Sequence, residues 1–64
     1  MITHVAYYEV KYITGEWWGT FATCQHKADA EKIEAMLLAE GKTTRIDEVH
    51  NGHVLGEPKT PTPK

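Results

Sequence analysis

The chain has 64 residues, seven basic against nine acidic side chains and a net charge of −2 with histidine neutral. One small domain is the upper limit, and a chain this short buries only roughly 60% of the surface its unfolded form exposes. A deep enzyme pocket is excluded, and so is a membrane span, because no run approaches the ~20 apolar residues required. The single cysteine, Cys24, cannot form an internal disulfide. The start, Met1-Ile2-Thr3-His4, lacks the pattern of a signal peptide. A reducing cytoplasm is the expected compartment. The charge balance argues against nucleic acid as a partner, since that affinity rests on cations neutralising phosphates.

The first segment, Val5 to Ile13, is rich in Val, Tyr and Ile and reads as a strand. Thr14-Gly15 reads as a turn, and Glu16 to Thr23 as a second strand. A two-residue Thr14-Gly15 loop pairs Ile13 with Glu16, Tyr12 with Trp17, Val10 with Gly19 and Tyr8 with Phe21. One face then carries Ala6, Tyr8, Val10, Tyr12, Trp17, Phe21 and Thr23. The other carries Tyr7, Glu9, Lys11, Trp18, Thr20 and Ala22. Gly19 is expected to leave a gap that another element approaches.

Lys27 to Glu40 consists of strong helix formers, with Ala30, Ile33 and Leu37 on one stripe. Gly41 stands where a glycine ends a helix. Thr43 to His50 reads as a third strand. Asn51-Gly52 is a hairpin signal, with a short fourth strand from His53 to Leu55. The Pro- and Thr-rich tail, 57–64, is expected to be disordered or extended, which makes 1–56 the compact domain.

This order, ββαβ with a short extra strand, predicts a two-layer α+β sandwich. The crossover rule places strand three beside strand one, giving an antiparallel sheet of order 2-1-3-4 with the helix on one face. The other face stays open and holds Tyr7 and Trp18, with Lys11 stacked on the indole. Aromatic side chains on an uncovered sheet suit a partner interface. Tyr7 and Trp18 are therefore the candidate anchors, with Lys11 and Arg45 for polar specificity. An edge strand offers a second docking mode.

No catalytic constellation is legible. Cys24 and His26, as i, i+2 neighbours, rarely point together and have no third group to orient them, and Glu31, Glu34 and Glu40 read as solvated carboxylates. No cofactor is expected. The alternative is a structural zinc, for which the topology gathers His4, Cys24, His26, His50 and His53 at one end of the sheet.

Thr20-Phe21-Ala22-Thr23, Asp29-Ala30-Glu31-Lys32-Ile33, Leu37, Glu40-Gly41-Lys42 and Arg45-Ile46-Asp47-Glu48-Val49 together resemble small bacteriophage accessory proteins. In segment order and size, over about positions 5 to 50, the chain is similar to the host RNA polymerase inhibitors of T7-like phages. The resemblance implies a compact protein that docks on a host protein and modulates or inhibits it. It carries over no functional residue. The expectation is a non-enzymatic protein-binding module. A homo-oligomer burying the same face, with a homodimer as its simplest form, is the main rival.

Overall fold

A computed structural model describes residues 6–61. Its elements are β1 (Tyr7–Thr14), β2 (Trp17–Cys24), α1 (Lys27–Ala39) and β3 (Thr44–Val49). They form a three-stranded antiparallel sheet of order β2-β1-β3 with the helix on one face. The expected α+β layering and central first strand are present. The expected fourth strand is not. After Asn51-Gly52 the chain runs beside β3 and touches it through two isolated bridges, Glu48 with Val54 and Thr44 with Lys59.

The hairpin register differs from the sequence expectation. Thr14 pairs with Trp17, so the two-residue loop is Gly15-Glu16. Gly15 has φ +65°, and no non-glycine residue in the described chain has positive φ. A glycine of this kind at the first loop position matches the type II′ turn, whose twist suits a hairpin. Ile13 then lies opposite Trp18, and Tyr12 opposite Gly19. The register shifts between Val10 and Lys11, where Phe21 is the extra residue of a bulge. Past the bulge, Val10 meets Ala22 and Tyr8 meets Cys24. Ala22 and Cys24 thereby take the core-side positions expected of Phe21 and Thr23.

Val10, Ala30 and Leu37 form the buried core, with Tyr8, Tyr12, Cys24, Ile33 and Ile46 packed around them. The helix stripe read from sequence is the face that packs. Two bonds close the helix: Gly41 N–H to the Leu38 carbonyl and Lys42 N–H to the Leu37 carbonyl, both 3.0 Å. With Gly41 at φ +87°, this is the Schellman motif. At the other end His26 occupies the N-cap without a side-chain bond.

Helix length decides what the layer covers. Thirteen residues span about 20 Å, whereas an eight-residue strand spans about 26 Å. The hairpin tip therefore projects past the helix, and Trp17, at the start of β2, is 78% exposed. Sequence alternation assigned Trp17 to the core; the short helix leaves it outside.

Gly15→Ala should destabilise the protein by about 1 kcal/mol, lowering Tm by about 4–8 °C, because an L side chain at positive φ is strained. Gly19→Ala should leave Tm unchanged or slightly raised. A Cβ there meets nothing within 4 Å, contrary to the close approach expected from sequence. Thermal denaturation followed by circular dichroism checks both.

Candidate functional site

The sheet face opposite the helix is built by alternation from Tyr7, Glu9, Lys11 and Ile13 of β1, Trp18 and Thr20 of β2, and Arg45, Asp47 and Val49 of β3. Tyr7, Lys11, Trp18 and Arg45, the four candidate binding residues, thus share one face, and all are half-buried. Their pairing differs from expectation. Arg45, not Lys11, covers the indole of Trp18, with its guanidinium 4.4 Å from the ring centroid. The Lys11 ammonium instead donates to the Thr20 hydroxyl at 2.9 Å and lies 3.7 Å from Glu9.

Antiparallel pairing of β1 with β3 buries Val10 beside Ile46 on the helix side. The same register sets Glu9 directly opposite Asp47 on the other side. Like charges in that position are destabilising unless cations intervene. Three groups converge on the pair. Arg45 Nε lies 3.0 Å from Asp47 Oδ1, a charge contact whose N–H is not aimed as a hydrogen bond. His53 Nε2 lies 3.4 Å from Asp47 Oδ2 and 3.7 Å from Glu9 Oε1. Lys11 completes the set.

Asp47 is fully buried although no helix covers this face. The chain after β3 does the covering. The Gly56 N–H donates to Asp47 Oδ1 at 3.0 Å. Gly56 is required at that position, because an added Cβ would overlap the Ile46 carbonyl. Glu9 and Asp47 did not stand out in the sequence. The signal was available once the register of β1 against β3 was drawn, since the antiparallel register that sets Val10 opposite Ile46 also sets Glu9 opposite Asp47.

Of the five metal candidates read from sequence, the four among the described residues do not form a set. His4 lies outside the described residues. Cys24 packs against the core, His26 caps the helix without a side-chain bond, and the His50 Nδ1 accepts the Gly52 N–H at 3.3 Å. Among the described residues, the one group of three possible ligand donors is Glu9, Asp47 and His53, whose donor atoms lie within 4.8 Å of one another.

On the helix side, α1, β3 and residues 56–59 border a cleft of about 230 Å³. Glu31, Glu34, Glu48 and Glu57 line it against Lys27 and Lys59. Glu34, expected to be solvated, is buried. Lys59, within the segment expected to be disordered or extended, pairs with Glu34 at 2.9 Å. Its backbone also exchanges both hydrogen bonds with Thr44. The Lys59 ammonium is held above its ordinary value of 10.5. The hydrogen bond to Glu34 is the largest cause, then the Glu34 charge, a small opposing desolvation and the charge of Glu31.

No family model, curated protein or solved structure matches the chain. Among the described residues, no helix is long and apolar enough to cross a membrane.

Lys59→Met should cost about 1 kcal/mol at neutral pH, a modest value because the lysine is largely solvent-exposed. A raised folded-state value means that this contribution is complete below pH 10.5 and fades as pH rises through the raised value. Urea unfolding at neutral and strongly alkaline pH should therefore show the gap between wild type and variant closing.

Proposed function

We infer that this protein is a non-enzymatic docking module that receives an extended segment of another protein along β2. The observation that carries the reading is the state of that edge. Among the described residues, the order β2-β1-β3 leaves one side of β2 without a strand. The outer edge of β3, by contrast, is shielded by the bridges at Val54 and Lys59. Proteins protect free edges with charge, proline or a covering segment. Trp17-Trp18-Gly19-Thr20-Phe21-Ala22-Thr23-Cys24 contains no charge and no proline. The bulge at Phe21 is its one interruption.

Side chains beside the edge supply the apolar contacts that strand addition needs. Trp17 is 78% exposed and Phe21 47% exposed. Phe21 is held edge-on against Tyr12, with ring centroids 5.9 Å apart. Exposed Met36 belongs to the same side. Glu34 turns toward β3 through Lys59, and Met36 is about 200° further round the helix. The open face fits this role less well, since Arg45 already occupies the Trp18 ring. The segment order shared with small phage accessory proteins favours a host protein as the target.

Selection of short displayed peptides against the protein tests this reading. Ligands should be uncharged and extended, should slow amide exchange in β2, and should bind at least about tenfold more weakly to Phe21→Lys. Ligands indifferent to Phe21→Lys but lost in Trp18→Ala would move the site to the open face. A concentration-dependent dimer that Phe21→Lys abolishes would assign the edge to a second copy of the chain.

A further inference from the structure

We propose that Glu9, Asp47 and His53 bind a divalent transition cation of the zinc type, which fastens the segment after β3 to the open sheet face. The proposal is independent of the docking edge, which lies on a different strand.

Geometry is the first support. A tetrahedral ion with bonds of about 2.0–2.1 Å to nitrogen and oxygen separates its donors by about 3.3 Å. The imidazole Nε2 stands 3.4 Å from Asp47 Oδ2 and 3.7 Å from Glu9 Oε1. All three donor atoms lie within 4.8 Å of one another, so an ion at a common centre draws the two carboxylates together. The protein supplies three ligands and leaves the fourth position to water. Imidazole selects transition ions over magnesium and calcium, which take oxygen ligands.

Asp47 supplies the second, separate support. The residue is fully buried, yet its Oδ2 has no hydrogen-bond partner among the described residues. Its other oxygen is engaged by Gly56 and Arg45. A buried carboxylate oxygen left unpaired is costly. Here that oxygen belongs to the three-donor group with Glu9 and His53, and a cation satisfies it.

The backbone makes the site well held on two sides. Glu9 and Asp47 are fixed opposite each other by the β1–β3 register. His53 comes from the following segment and is the movable ligand, its side chain 44% exposed. The ion therefore links β1, β3 and that segment, which a small domain without a disulfide gains from directly. Lys11 and Arg45 work against the ion, since each already sets a positive charge beside one of the carboxylates. Lys11→Gln should accordingly tighten binding, whereas a cluster that merely neutralises itself would gain no ligand.

Calorimetric titration of metal-free protein with zinc chloride, paralleled by cobalt(II) absorption, tests the site. The expected result is one ion per chain and a raised Tm. His53→Ala and Glu9→Gln should each weaken binding about tenfold or more, and Lys11→Gln should strengthen it. Cobalt should give visible bands of a nitrogen–oxygen site without thiolate charge transfer. Absence of binding, or binding unchanged in His53→Ala, would overturn the proposal. So would a thiolate band that disappears in Cys24→Ser.

Discussion

A carboxylate without solvent access sits on the sheet face that has no helix, and much of the structure follows from it. Asp47 reaches that position because β3 must place Ile46 toward the core beside Val10. Its neighbour in sequence then turns to the opposite face. A buried charge needs partners that stay in place. Arg45 and the Gly56 N–H contact one oxygen, and His53 approaches the other. Each of these partners has a second consequence. Arg45 covers Trp18. Gly56 draws the chain so close to β3 that no side chain fits there. His53 creates a three-donor group with Glu9.

The two sheet edges therefore differ. Beside β3 the returning chain supplies a partial cover, continued by the Lys59 pairing with Thr44 and Glu34. Beside β2 there is no counterpart among the described residues, because the chain leaves that strand directly for the helix. The helix is too short to reach the hairpin tip, so the uncovered edge also has Trp17 beside it. Among the described residues, those after β3 cover one edge and one face of the sheet.

The periodic parts of this architecture were legible. Ala30, Ile33 and Leu37 mark the packed helix face, Gly41 its end, and the crossover rule puts β1 in the middle. The failures have local causes. The Gly15-Glu16 turn and the bulge at Phe21 change the hairpin pairing by two residues near the tip and by three beyond it. Alternation counted from an assumed turn cannot detect a bulge, so it sends Phe21 to the core; Trp17 does keep the helix-side face, but the short helix does not reach it. The open face was legible as a set, since Tyr7, Lys11, Trp18 and Arg45 do share it. Their contacts were not, because they depend on both registers, β1 with β2 and β1 with β3. The same holds for Glu9 and Asp47. Two carboxylates distant in sequence become neighbours only when the β1–β3 register is known, and His53 joins them only through the path of the following loop.

The central claim is that Asp47 organises the chain after β3. Amide exchange of Gly56, resolved by nuclear magnetic resonance in wild type and Asp47→Ala, tests it most directly. The account predicts a protected Gly56 amide in the wild type. In the variant that protection should vanish while the Val10 amide, deep in the sheet, stays slow to exchange. A Gly56 amide that exchanges as fast as open chain in the wild type, or is equally protected without the carboxylate, would contradict it.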